Sequence, residues 1–264
     1  VVEMMPQPLP AEDAEISREA GMFFHNAGIT VKTGVRVTSV SKSETGVSVT
    51  LLQGETEEVL HAEKILVAAG FIPNIAELQL DRLGVETNRG HVIVDEQMRT
   101  NLPHIYAIGD ITGKLGLAHV ASAQGVIAAE AIAGHRTEPL VYENIPRCTF
   151  SAIEIASVGL TQTEAEKRGY DLLVQKSPFV PNGKALALGE NVGFVKILAD
   201  VGTRKLLGIH MIGPHVTELI SGPAALLSLG ATIDQLRHLV YPHPTLSEVF
   251  HEGIHAITGH GIHL

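Results

Sequence analysis

The sequence is short of the features that cross-link, stack or span. It has one cysteine, Cys148, so no internal disulfide can form and the fold must rest on packing, as is usual in a reducing compartment. Aromatic residues make up 4% of the 264 and the formal net charge is -10. That combination excludes a basic, ring-lined nucleic-acid groove and leaves small molecules or proteins as partners. No apolar run approaches the ~20 residues that cross a bilayer, and the N-terminus has neither the charged nor the apolar region of a signal peptide. A cytoplasmic protein without membrane contact is the expectation. An initiator methionine is also lacking: Val1-Val2-Glu3 reads as the end of a buried strand running into a Pro-rich loop over 5–10, so the sequence reads as a piece of a longer chain. What is plentiful is core material, at 45% hydrophobic residues, which excludes a disordered chain.

Periodicity gives a coarse map. Residues 11–28 carry apolar positions at Ile16, Ala20, Phe23 and Phe24 and stop at Gly28, which predicts a helix. Three β-rich runs, 29–40, 47–52 and 59–61, predict a small antiparallel meander. The run 64–70, Lys-Ile-Leu-Val-Ala-Ala-Gly, predicts a strand buried on both faces of a parallel sheet. Residues 71–99 read as an irregular connection with one strand-like stretch, 91–95. A turn at 100–104 then precedes an apolar strand ending at Gly109-Asp110, and a small-residue helix follows over 118–133, closed by Gly134. After a Pro-flanked linker, 137–146, the remainder reads as a separate α+β unit. Its strands are predicted over 155–160, 172–179, 193–198 and 206–212, and its helices over 163–169, 216–229, 233–239 and 247–257.

The strongest local pattern is Tyr241-Pro242-His243-Pro244-Thr245-Leu246-Ser247-Glu248. Two prolines forbid a helix around His243 and present its ring from a stiff loop, which suits a proton carrier. The same residues have a plainer reading, because Thr245 followed three residues later by Glu248 is a capping box worth about 1 kcal/mol. The two roles are compatible: a carboxylate can accept from a backbone N–H and from an imidazole. A strand ending at Gly109-Asp110 places an acceptor-only carboxylate where a ligand can approach the backbone, although a βα turn with Asp as cap gives the same string. Fourteen histidines raise the question of a metal, above all His251, His255, His260 and His263. His251 and His255 are spaced i, i+4, and with Glu252 they mimic a zinc-protease H-E-x-x-H. The string follows a complete His-Pro-Thr-x-Ser-Glu motif, so a chance match is the reading and no metal is expected. Cys148 reads as a buried small residue in the first strand of the C-terminal unit.

His-Pro-Thr-x-Ser-Glu resembles the terminal motif of the dimeric pyridine nucleotide-disulfide oxidoreductases. That resemblance makes His243 the general acid/base and Glu248 its carboxylate partner. The stretch 100–110 is similar to the family's second flavin motif, which assigns Asp110, with Gly109, to the ribityl chain of FAD. The backbone N–H groups of Leu117, Ala118 and His119 then fall at the electron-rich edge of the flavin ring. Val1-Val2-Glu3, with Ala68-Ala69-Gly70 downstream, resembles parts of the nicotinamide site. Glu3 would accept from the adenosine ribose hydroxyls, which favours NAD over NADP. Phe71 departs from the family, which commonly carries Arg or another polar residue there. Three family features are missing from the 264 residues: the first flavin-binding Rossmann unit, the Cys-x4-Cys pair and the nicotinamide glycine loop.

The resemblance implies an α/β and α+β architecture. Residues 1–70 would be the tail of an NAD-binding Rossmann-like domain, 71–139 the C-terminal segment of an FAD-binding domain, and 140–264 an α+β dimerisation domain. Within the family the dihydrolipoamide dehydrogenase group is the nearest. Its members are FAD-dependent enzymes that oxidise dihydrolipoamide, carried on an acyltransferase subunit of a 2-oxoacid dehydrogenase complex, with NAD as acceptor. They act as homodimers in which each active centre borrows its base from the other subunit. A piece of such an enzyme is expected to be inactive alone. Mercuric reductases are the rival, but they are expected to end in a vicinal Cys pair, whereas this chain ends Gly261-Ile262-His263-Leu264. Glutathione-type reductases use NADP and fit less well. Outside the enzymes, a non-catalytic dimerisation module is the alternative.

Overall fold

The computed structural model describes residues 1–263. By contacts the chain divides into two compact units, 1–65 together with 143–264, and 66–142. In the first unit Val2 bridges Lys32 in parallel, and Glu3 N donates to Lys32 O at 2.9 Å. Helix α1 (Ala14–Asn26) starts where Asp13 Oδ1 accepts from Glu15 N at 3.0 Å, and it buries Ile16 and Ala20. The predicted meander forms as β1 (Arg36–Lys42), β2 (Val47–Gln53) and β3 (Thr56–Ala62), antiparallel in that order, with Val49 and Leu51 turned inward beside Val35. The first strand begins at Arg36 rather than at 29.

The strand predicted over 64–70 does not form. Residues 64–70 are exposed, with Leu66 at 91%, and among the described residues no strand pairs with them. An apolar run reports a tendency to be buried; a strand also needs a neighbour to hydrogen-bond.

The second unit is less regular. It holds α2 (Leu80–Leu83), a two-residue hairpin of β4 (Thr87–Asn88) and β5 (His91–Val92), and α3 (Ala118–Ile132). Its core gathers Val85, Val92, Val94, Met98, Ala107, Ile127 and Ala128. The strand predicted before Gly109 is reduced to one bridge, Arg99 to Tyr106, and the one predicted over 91–95 shrinks to His91–Val92. Single neighbours cannot extend a ladder.

The rest of the first unit is β6 (Arg147–Thr149), β7 (Glu154–Gly159), α4 (Gln162–Lys167), β8 (Leu172–Pro178), α5 (Gly183–Leu188), β9 (Phe194–Asp200), β10 (Leu206–Gly213), α6 (Val216–Leu219), α7 (Ser221–Ser228), α8 (Ile233–Leu236) and α9 (Glu248–Ile257). The helix predicted over 216–229 is split between α6 and α7, because Pro223 has no N–H to give Leu219. Five strands make one antiparallel sheet in the order β6-β7-β10-β9-β8.

Both faces of that sheet are covered, so β7, β9 and β10 are buried almost throughout. One set of alternate residues, Ala156, Val158, Val195, Ile197, Ile209 and Met211, packs under α7 and α9. The other set faces α1 and includes Ile155 and Ile212. On that second face a single register line crosses all five strands: Arg147, Ser157, His210, Lys196 and Lys176. The acidic start of α1 answers it. Lys196 Nζ donates to Asp13 Oδ1 at 2.9 Å and pairs with Glu15 Oε2 at 2.9 Å, Lys176 Nζ reaches Glu15 Oε1 at 2.7 Å, and Arg147 donates to Ala11 O at 3.3 Å. His210 is wholly buried, which pushes its proton affinity down, and its Nε2 lies 2.9 Å from Leu160 O.

Candidate functional site

The loop between α8 and α9 presents His243 between Pro242 and Pro244, and the His243–Pro244 peptide is cis. Leu246, Val249 and Phe250 are buried on either side of Ser247 and anchor the loop to the sheet. His243 Nδ1 lies 2.9 Å from Glu248 Oε1, and Glu248 Oε2 accepts from Thr245 N at 2.7 Å. One carboxylate therefore fixes both the ring and the loop. Thr245 does not complete a reciprocal cap, because its hydroxyl donates to Pro242 O at 2.7 Å and lies 2.8 Å from Ser247 Oγ. The plainer capping reading thus holds for Glu248 alone, alongside its contact with the imidazole.

The electrostatics favour an ionised partner. Partial burial by itself would raise the Glu248 carboxyl; the Thr245 N–H and the His243 ring outweigh it and hold the group below the ordinary carboxylate range. An anionic acceptor at Nδ1 keeps the proton there in the neutral ring and leaves the lone pair on Nε2. The His243 side chain is 78% exposed, so Nε2 faces outward rather than into its own unit. Such a ring can take a proton from a group brought to the surface and return it.

Asn182 belongs to this site and is absent from the sequence prediction. Its Oδ1 caps α5 by accepting from Ala185 N at 2.9 Å, while its Nδ2 donates to Thr245 O at 3.0 Å. The signal lay in Asn182-Gly183 ahead of helix formers and closed by Gly189, a short capped helix that apolar periodicity overlooks.

In the second unit the structure brings Gly109, Asp110 and the start of α3 together. Gly109 takes φ +76° at the head of a tight turn, and its N–H donates to Gln124 Oε1 at 2.6 Å. Gln124 is fully buried and also bonds the Tyr142 hydroxyl at 2.9 Å, so it ties the turn to α3. A lone amide in a helix of small residues was the available hint. Asp110 is exposed, and a Cβ placed on Gly116 would lie 3.7 Å from its carboxylate. Leu117 enters α3 in extended conformation without a side-chain cap, and Ala118 and His119 are exposed. An open carboxylate beside small residues and an uncapped helix start fits a polyhydroxyl chain with an electron-rich ring beyond it.

The remaining predicted positions are placed less tellingly. Glu3 is half-buried in the first unit and its Oε1 accepts from Met5 N at 2.7 Å, a loop-holding contact. Gly70, in the second unit, has φ +105°, and the neighbouring Phe71 is 98% exposed. Cys148 is half-buried in β6, where burial and then Glu154 push its thiol up, away from the reactive thiolate. Among the described residues no group of three or more His, Cys, Asp and Glu could hold a metal ion. None of their helices is long and apolar enough to cross a membrane.

Two family models match the chain: pyridine nucleotide-disulphide oxidoreductase over residues 1–125, and the dimerisation domain of the same oxidoreductases over 145–254. The chain is 45% identical to dihydrolipoyl dehydrogenase of Mycobacterium leprae over 264 residues, which is 99% of this chain and 56% of that protein. It is 46% identical to dihydrolipoyl dehydrogenase of Chlorobaculum tepidum over 253 residues, 96% of this chain and 54% of that one. Among solved structures, LpdA of Mycobacterium tuberculosis superposes with a TM-score of 0.88 at 30% identity, covering 97% of this chain and 56% of its own. The chain thus spans a little over half the length of the relatives it matches.

Proposed function

Since the chain belongs to the pyridine nucleotide-disulphide oxidoreductase family, we propose that it carries the proton-transfer half of a dihydrolipoyl dehydrogenase, with His243 as acid/base and Glu248 as the residue that positions it. The observation that carries this reading is the 2.9 Å contact between His243 Nδ1 and Glu248 Oε1 on a ring that is 78% exposed. Nε2 takes the proton of a dihydrolipoyl thiol, and the thiolate formed attacks a disulfide; both groups come from outside the 264 residues, which hold one cysteine. The exposure of the ring and the match to a dimerisation domain support a homodimer in which each subunit lends His243 to the other. The thiol substrate arrives on an acyltransferase subunit of a 2-oxoacid dehydrogenase complex.

Residues 71–139 are assigned to the flavin side, where Asp110 accepts from the ribityl hydroxyls and the N–H groups at the start of α3 face the ring. Residues 1–70 are assigned to the nicotinamide side, where Glu3 accepts from the adenosine ribose and Gly70 gives the backbone room. FAD, when bound, carries the electron pair from the dithiol to NAD. Residues 140–264 form the interface. The test is the His243→Gln variant of the protein as the cell produces it, assayed for NAD reduction by dihydrolipoamide. A loss of roughly 10²–10⁴-fold in kcat with an unchanged flavin spectrum is expected. A change below tenfold overturns the assignment, and a colourless, inactive wild-type dimer points to a dimerisation module instead.

A further inference from the structure

Helix α9 carries a second histidine pair, on the turns after Glu248. His251 and His255, four residues apart, share one helical face, and their Nε2 atoms lie 3.0 Å from each other. Two imidazole nitrogens bound to one ion at roughly 2.0–2.1 Å and 90° stand about 2.9 Å apart, whereas a tetrahedral angle opens them to about 3.3 Å. The observed separation is that of two adjacent corners of a square or octahedron.

The rings are held in place. His251 stacks on Tyr241 with centroids 4.8 Å apart and planes at 25°, and His255 meets His251 edge-on, at 4.5 Å and 80°. Both residues are half-buried.

We propose that His251 and His255 form a two-point site for a divalent late transition metal of tetragonal preference, Cu(II) ahead of Ni(II), with water completing the coordination. The ranking follows from imidazole ligands at a 90° spacing together with the general order of divalent affinities. The site needs none of the residues assigned to sulfur chemistry, so it stands whether or not the proposed function does. A plain N–H···N hydrogen bond between neutral rings is the competing account of the same distance.

Electron paramagnetic resonance of the purified protein titrated with Cu(II) tests the proposal. One tetragonal Cu(II) per chain with hyperfine structure from two equivalent nitrogens is expected. The variants His251→Asn and His255→Asn, checked for fold by circular dichroism, should each weaken that site by about 100-fold through loss of the chelate. Zn(II) should compete less well than Ni(II). Copper bound with one nitrogen or none, or with unchanged affinity in both variants, overturns the site and leaves the hydrogen-bonded pair.

Discussion

Lys196 offers a quantitative test of how the first unit is held together. It is 1% exposed, and its Nζ lies 2.9 Å from Asp13 Oδ1 and 2.9 Å from Glu15 Oε2. Lys196→Met keeps much of the stem and removes the charge. Stripping one partner from a buried pair costs about 3–5 kcal/mol, because the other charge is left uncompensated. Asp13 would keep two donors, Glu15 N at 3.0 Å and Gln162 N at 3.2 Å, which places the expected loss near the lower end, about 3 kcal/mol. Adding Asp13→Asn removes the stranded charge, so the double variant should recover at least about 1 kcal/mol relative to the sum of the singles. Acid should show the same pair. Burial would raise the Asp13 carboxyl, but Lys196 and its other partners win and lower it in the fold. A carboxyl depressed in the folded state stabilises it above the ordinary aspartate pKa, and the contribution disappears as pH falls through the folded value. Wild type should therefore lose stability below about pH 4 more steeply than Lys196→Met. Urea unfolding followed by circular dichroism, at pH 7 and pH 3, reads both effects. A Lys196→Met variant within 1 kcal/mol of wild type at pH 7 would refute the reasoning.

Other substitutions probe the site and its support. Glu248→Gln should cut the turnover of the enzyme proposed above by about 100-fold, measured as NAD reduction, because the ring loses its anionic partner. The same change should move stability by no more than about 0.5 kcal/mol, since the His243 ring is largely exposed and a glutamine oxygen can still accept from Thr245 N. Asn182→Ala removes a helix cap and the anchor of Thr245 O; a loss of about 1–2 kcal/mol in urea is expected, with a lower kcat from a looser His243 loop. Gly193→Ala would place a Cβ 1.9 Å from Ile212 O at φ +97°, and a loss of about 3 kcal/mol in thermal or urea unfolding should follow.

Much of the C-terminal architecture is visible in the sequence because it depends on local signals. Apolar runs mark β7, β9 and β10, Gly28 and Gly134 mark the ends of α1 and α3, and the prolines around His243 mark a rigid loop before α9. Where the prediction fails, the missing information is a neighbour. The run Ile65-Leu66-Val67 has the composition of a strand but, among the described residues, no ladder to join, and 105–108 forms a single bridge, Arg99 to Tyr106. The split of α6 from α7 was legible in Pro223, whereas α5 was too short for periodicity. The His243–Glu248 contact follows from five residues of spacing, but its coexistence with the Thr245 N–H needed coordinates. The line from Arg147 to Lys176 could not be read at all: five residues on five strands meet through register, and only Lys196, inside an apolar run, hinted that something charged would be waiting.

That line of side chains has a consequence for how the polypeptide behaves when cut. The acids that answer it sit at the head of α1, and Asp13 and Lys196 are 183 positions apart in the chain. A protease nick in the intervening segment would separate them covalently while leaving their contact intact. The two pieces should migrate together on a native gel, come apart in denaturant, and find each other again when it is removed, because each carries the charges the other lacks.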